Sequence, residues 1–152
     1  NQVVVNIGSD TFYTRIIDER FPDFEGVIPK ENNKELRLNR VELLSTVKRV
    51  SVLSNKTTKQ IALNLSKDKI KITTEDAEKS SKGFENIEGN YNGEDLVIGY
   101  NAAYLRDILS HLSDDNIIIK LNSPISAGLF FPKTQQENSD LTMLLMPIRL
   151  NN

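Results

Sequence analysis

Few residues of this chain are of a type that could do covalent or acid–base chemistry. The single histidine, His111, falls late in a helically periodic stretch, between its polar and apolar arcs. No nucleophile or acid stands at a recognisable spacing from it, and a histidine there suits the negative end of a helix dipole. Asp114-Asp115 and Glu75-Asp76-Ala77-Glu78 are the carboxylate groupings to weigh as cation sites, and both read as solvated turns. No G-x-x-x-x-G-K-[ST] or G-x-G-x-x-G occurs, and the seven glycines are dispersed singly. The absence of cysteine removes thiol nucleophiles, Zn–thiolate sites, iron–sulfur clusters and disulfides. The expectation is a chain with no catalytic residue, metal ligand or cofactor. A hydrolase working through Asp/Glu pairs has no supporting constellation.

Two other groups of residues could bind rather than react. Arg40, Lys48, Arg49 and Arg106 share the non-core faces of two predicted helices. Any exposed face needs charge, but these two faces point the same way. Cations without interleaved aromatics suit loose contact with phosphates and no reading of bases. The second group is the C-terminal run Met143-Leu144-Leu145-Met146-Pro147-Ile148-Arg149-Leu150, apolar almost to the last residue. Part of it reads as a final core strand. Pro147 breaks the ladder and apolar residues continue past it, which makes the tail a candidate wall of a peptide groove.

The elements that position these residues follow from periodicity and turn chemistry. Val3 to Ile7 and Thr11 to Ile17 read as a hairpin about Gly8-Ser9-Asp10. A polar, proline-led stretch from Pro29 to Lys34 reads as a linker. A short strand, Glu35 to Leu38, runs into Asn39, an N-cap with Glu42 three residues on. The helix that follows carries Leu43, Leu44, Val47 and Val50 on one face, with Val41 and Val52 projecting from the other. Strands are predicted at Gln60 to Leu65, Lys69 to Glu75, Gly83 to Tyr91 and Leu96 to Tyr100, with turns at Lys67-Asp68 and Asn92-Gly93. A second helix, capped by Asn101, carries Leu105, Ile108, Leu109 and Leu112. Strands at Asn116 to Leu121, Ile125 to Phe131 and Leu141 to Ile148 complete the chain.

Laying Asn39 on Asn101 superposes Leu43 on Leu105, Val47 on Leu109 and Val50 on Leu112. The pattern is strand–helix–three strands, repeated twice. The predicted fold class is α+β, with both helices on one face of the sheets.

The chain has 152 residues, 19 Lys+Arg against 21 Asp+Glu, and 38% hydrophobic residues, enough for an ordinary core. A net charge of −2 argues against holding nucleic acid by bulk electrostatics. No apolar run is long enough to span a bilayer, so no membrane partner is expected. The chain opens on Val3-Val4-Val5, a strand in progress, which reads as a fragment of a longer protein.

Four segments resemble the bacterial β sliding clamps, the processivity subunits of DNA polymerase III. They are Arg20-Phe21-Pro22-Asp23-Phe24 with Val27-Ile28-Pro29, Val52-Leu53-Ser54-Asn55, Ile98-Gly99-Tyr100-Asn101 through Tyr104-Leu105, and Met146-Pro147-Ile148-Arg149-Leu150. Each motif is weak alone, but their order and spacing across nearly the whole chain are specific. The resemblance implies a DNA-clamp fold in which 1–29 is the hairpin and linker ending a second domain and 30–152 is a third domain. It implies a non-catalytic processivity factor: two subunits close head to tail into a ring around duplex DNA, with helices lining the hole. Such a ring holds DNA by topology, which reconciles an acidic chain with mildly basic inner helices carrying Arg40, Lys48, Arg49 and Arg106.

The resemblance further implies a pocket for short peptides of the polymerase III catalytic subunit, the clamp loader and other proteins bearing a clamp-binding motif. Carried over by motif, its positions are Pro22, Val27, Asn101, Tyr104, Ile125, Leu144, Leu145, Met146, Pro147, Ile148, Arg149 and Leu150. Two departures stand out: Gly26 occupies a position where many relatives have Arg, and Asn151-Asn152 extend past the usual last Leu. Val52 and Leu53 fall at the ring-closing contact, with core packing the competing reading for Leu53. The implied location is the bacterial cytoplasm, at the nucleoid during replication. The competing function is an α+β scaffold module with a peptide groove and no role on DNA.

Overall fold

The computed structural model describes residues 1–150. The opening hairpin forms as expected: β1 (Gln2–Ile7) pairs antiparallel with β2 (Asp10–Arg15) across Gly8-Ser9. Gly8 sits at φ 61°, a left-handed conformation that lacks a steric penalty only for glycine. Both faces of this hairpin are exposed, and a segment with one 3-10 turn at Glu25–Val27 leads from it to Pro29. Asn32 then ties the chain to the body, donating from Nδ2 to the carbonyls of Lys120 and Ala127, each at 2.9 Å.

The body holds two repeats. The first is β3 (Lys34–Asn39), α1 (Arg40–Val50), β4 (Gln60–Ser66), β5 (Lys69–Asp76) and β6 (Ser81–Glu88). A two-residue strand, β7 (Asn90–Tyr91), follows it. The second repeat is β8 (Leu96–Asn101), α2 (Ala102–His111), β9 (Asn116–Leu121), β10 (Gly128–Pro132) and β11 (Met143–Leu145). The sheets run β6-β5-β4-β8 and β11-β10-β9-β3-β7. Each repeat therefore lends its first strand to the other's sheet: β8 pairs with β4, and β3 with β9.

The strands alternate as half-buried strands do. In β4 Ile61, Leu63 and Leu65 point inward, and in β9 Ile117, Ile119 and Leu121 do. They meet Leu43, Val47 and Val50 of α1 and Leu105 and Leu109 of α2 in one continuous core. Burying such a side chain contributes roughly 1.5–3 kcal/mol. Both helices begin on asparagine caps: Asn39 Oδ1 accepts the Glu42 amide at 2.9 Å, and Asn101 Oδ1 accepts those of Ala103 and Tyr104. Neither helix is long and apolar enough to cross a membrane.

Five expectations change. The predicted strand over Gly83 to Tyr91 breaks at Gly89, so that β6 and β7 belong to different sheets. Asn92-Gly93 consequently joins two sheets rather than two paired strands. Ile125 lies in the turn before β10, and β11 is confined to Met143–Leu145. Helix α1 stops at Val50, so Val52 belongs to a 3-10 turn, Ser51–Leu53, rather than to the polar face of the helix.

Candidate functional site

Past β11 the chain leaves one sheet and reaches the other. The Ile148 amide donates to the Gly99 carbonyl on the edge strand β8 at 2.9 Å, an isolated antiparallel bridge. Gly99 permits it: a Cβ there would stand 2.6 Å from Leu150 Cδ2 and 2.7 Å from the Ile148 carbonyl oxygen. The docked tail walls a cleft of about 610 Å³ with Ile125 and Pro124 of the β9–β10 turn and Val97 of β8. Lys34 and Asp95 supply charge at its margin.

This cleft gathers Ile125, Ile148, Arg149 and Leu150 from the residues that the sequence proposed for a peptide pocket. Tyr104 and Met146 are exposed outside it, as are Pro22 and Val27 on the preceding segment. Leu144 is half-buried on β11, and Pro147 is half-buried beyond it. Two of the proposed residues have other work. Leu145 points into the core. Asn101 spends its amide on the fold, capping α2 through Oδ1 and donating from Nδ2 to the Thr58 carbonyl at 3.2 Å. At Gly26 the backbone amide donates to Asp23 Oδ1 at 3.2 Å. Asn151 and Asn152 lie outside the described residues. Sequence reasoning missed Lys34, Asp95, Val97, Gly99 and Pro124 as cleft residues. The Gly99 motif carried the one available signal, a glycine inside an apolar strand.

The basic face divides as well. Helices α1 and α2 pack side by side and run antiparallel, because the start of α1 lies at the end of α2. Arg40 fills that junction: its guanidinium donates to the Asp114 carbonyl at 2.7 Å and the Leu109 carbonyl at 3.0 Å, with Asp115 alongside. Its side chain is 16% exposed, so the expected free cation is instead a brace between the helices. Arg49 grips Glu85 on β6 with two hydrogen bonds, at 2.8 and 2.7 Å, and donates to Thr46 Oγ1. That pairing, before any other influence, holds the Glu85 carboxyl below its ordinary range. Lys48 and Arg106 are exposed and have no ion-pair partner among the described residues.

Val52 is 80% exposed at the end of α1, while Leu53 is half-exposed and lies against Gly83 of β6. His111 ends α2, with Nδ1 2.8 Å from the Asp107 carbonyl. Asp114, read as solvated, is solvent-accessible and also ties the turn together. Its carboxylate accepts the amides of Asn116 and Thr134, each at 3.0 Å, and these hold its pKa down. Among the described residues no three His, Cys, Asp or Glu side chains gather as metal ligands.

Two exchanged-strand repeats that set an antiparallel helix pair against two sheets define a clamp-type α+β architecture. Residues 25–149 match the model of the DNA polymerase III beta subunit, C-terminal domain, and the chain belongs to that family. It is 31% identical over 150 residues to the beta sliding clamp of Haemophilus influenzae, covering 99% of this chain and 40% of that protein. Against the Escherichia coli K12 beta sliding clamp the identity is 28%, with the same coverage. The fold superposes on a Bartonella birtlesii sliding clamp bound to griselimycin with a TM-score of 0.89 at 30% identity, covering 98% of this chain and 39% of that one. A Pseudomonas aeruginosa sliding clamp with ligand gives a TM-score of 0.88 at 30% identity, over 98% of this chain and 40% of that one. The chain thus spans about 40% of the length of the curated relatives it matches.

Proposed function

We propose that this chain works as the C-terminal part of a ring-forming DNA clamp, a non-catalytic processivity factor of replication. The observation that carries the reading is the antiparallel helix pair backed by exchanged strands, with Lys48 and Arg106 exposed and without an ion-pair partner among the described residues. Residues 1–29 would complete a second domain and 30–152 form the third. Two subunits would close head to tail, with Val52 and Leu53 at the joint, and duplex DNA would pass along α1 and α2. The net charge of −2 suits retention by topology. A few scattered cations then keep contact with phosphates loose enough to slide. A clamp of this kind works in the cytoplasm, at the nucleoid during replication.

The cleft beside the tail is the proposed seat for clamp-binding peptides of the polymerase III catalytic subunit, the clamp loader and other partners. Ile125, Ile148 and Leu150 would take an apolar anchor and Arg149 a polar group of the peptide. Pro22, Val27, Tyr104, Leu144, Met146 and Pro147 would extend the seat once the preceding domain is in place. Asn101 and Leu145 act behind it, by holding α2 and the core.

The test is charge reversal, Lys48→Glu with Arg106→Glu, in the ring that contains this chain. Slower loading onto nicked circular DNA supports a channel role, and unchanged loading and retention overturn it. For the cleft, amide shifts of this chain on titration with a Leu-Phe-anchored peptide should concentrate at Ile125 and residues 146–150. A saturating titration that leaves those amides unmoved overturns the peptide seat.

A further inference from the structure

We infer that Asn32, a linker residue outside the cleft lining, is a positioning residue for the proposed peptide seat. Its carboxamide fastens the β9–β10 turn, and that turn carries the Pro124 and Ile125 wall of the cleft. The β9–β10 ladder pairs Ile117 with Pro132 and runs as far as Lys120 with Leu129. Across the base of the turn beyond it lies Asn32 Nδ2. It donates to the carbonyl of Lys120 on β9 and to that of Ala127 just before β10, each at 2.9 Å. Inside the turn the backbone bonds are longer: the Ser126 amide reaches the Ser123 carbonyl at 3.4 Å, and the Ile125 amide reaches Ser123 Oγ at 3.4 Å. The short contact there joins two hydroxyls, Ser123 and Ser126, at 2.6 Å.

The fastening asks for a primary amide. One nitrogen must offer two N–H groups to two carbonyls, without a net charge. Asn32 Oδ1 is buried and has no hydrogen-bond partner among the described residues, so the donor half of the side chain is the half in use. Turning the amide over would set Oδ1 against two carbonyl oxygens, which fixes its orientation. Aspartate has the same shape and, ionised, no N–H to give.

The turn stands between the linker and the cleft. Asn122 at its start borders a recess formed by Ile28, Pro29, Lys30 and Glu31, while Pro124 and Ile125 share the cleft with Ile148 and Leu150 of the tail. The linker is also pinned just past Asn32: the Glu35 amide donates to Asn92 Oδ1 at 2.6 Å, and Lys34 lies at the cleft margin. A wall held in place before binding need not be ordered by the peptide. Without the two bonds the turn samples other positions, and the apparent affinity falls with the fraction of molecules whose wall is in place. The positioning role rests on the proposed peptide seat; the fastening of the turn does not.

The experiment compares this 152-residue chain with Asn32→Asp and Asn32→Ala by NMR, first free and then titrated with the Leu-Phe-anchored peptide. In the free variants, amide relaxation should show residues 123–127 turning mobile while β9 and β10 keep the parent's order. Peptide affinity, read from the amides of residues 146–150, should weaken about three- to tenfold in both variants. Asn39→Ala, which uncaps α1 away from the cleft, serves as the control for lost stability. It should unfold earlier in denaturant yet keep the parent's turn order and peptide affinity. A rigid turn in both Asn32 variants overturns the fastening. A mobile turn with unchanged affinity overturns the positioning role, and so does an equal weakening in Asn39→Ala. Weakening in Asn32→Asp alone is an effect of the added charge and overturns it too. If the parent chain itself fails to bind the peptide at residues 146–150, the seat falls and the positioning role with it. Relaxation of the free chains reads the fastening separately, so the two failures are distinguishable.

Discussion

Gly99 is where a single hydrogen atom in place of a methyl decides the shape of the cleft. Gly99→Ala would drive a Cβ into Leu150 and the Ile148 carbonyl, releasing the tail from β8. The expected outcome is loss of hydrogen-exchange protection at the Ile148 amide, with a stability loss of only about 1 kcal/mol, the contribution of one ordinary hydrogen bond. Tyr100 predicts the opposite sign. Its ring is buried edge-on to Phe130, 6.1 Å between centroids, and its hydroxyl has no hydrogen-bond partner among the described residues. Burial pushes the phenol's pKa up. Tyr100→Phe removes an unsatisfied polar group at almost constant volume and should raise stability by about 1 kcal/mol in denaturant titration. At this scale the sequence was partly legible. Asn39 and Asn101 announced themselves as caps by type and position, and Leu145 as an apolar strand residue. That Asn101 and Leu145 would not line the cleft beside the tail was not legible, because which side of a strand faces a groove depends on the neighbouring sheet.

Helix caps and ion pairs are the elements' own fastenings. Asn39→Ala removes one capping bond and should cost about 1 kcal/mol. Asn101→Ala should cost more in the same thermal or denaturant assay, since its amide also holds the Thr58 carbonyl. The Arg49–Glu85 pair joins α1 to β6, and its contribution depends on pH. Because Glu85 has its pKa lowered from 4.5 in the fold, the stabilisation is present above pH 4.5 and is lost as pH falls through the lowered value. Stability profiles of the parent and Glu85→Gln should therefore differ at neutral pH and converge on acidification below pH 4.5. Helical periodicity identified both helices and their apolar faces. It misplaced Val52, because a 3-10 turn after Val50 changes the rotation per residue. The strand pattern ran β6 and β7 together, since a single Gly89 inside a β-rich run does not say that the chain is about to change sheets.

Across the whole molecule, stability is distributed unevenly. The β1–β2 hairpin is exposed on both faces and lies outside the core cluster, whereas β3, β4, β8 and β9 bury one face each. Hydrogen exchange should show amides of Gln2–Arg15 opening far more readily than those of β3 and β9. Uniform protection across both regions would show that the hairpin is covered in solution. The sequence by itself determined the repeat, the two capped helices, the identity of most core residues and the family resemblance, because these rest on local spacing and on residue type. The tertiary structure alone decided that the repeats exchange their first strands, that Arg40 is a brace while Lys48 and Arg106 are exposed, and that the tail crosses to Gly99. Each of these depends on pairing between residues far apart in the chain, and local periodicity does not encode which distant strand edge or helix end a segment will meet.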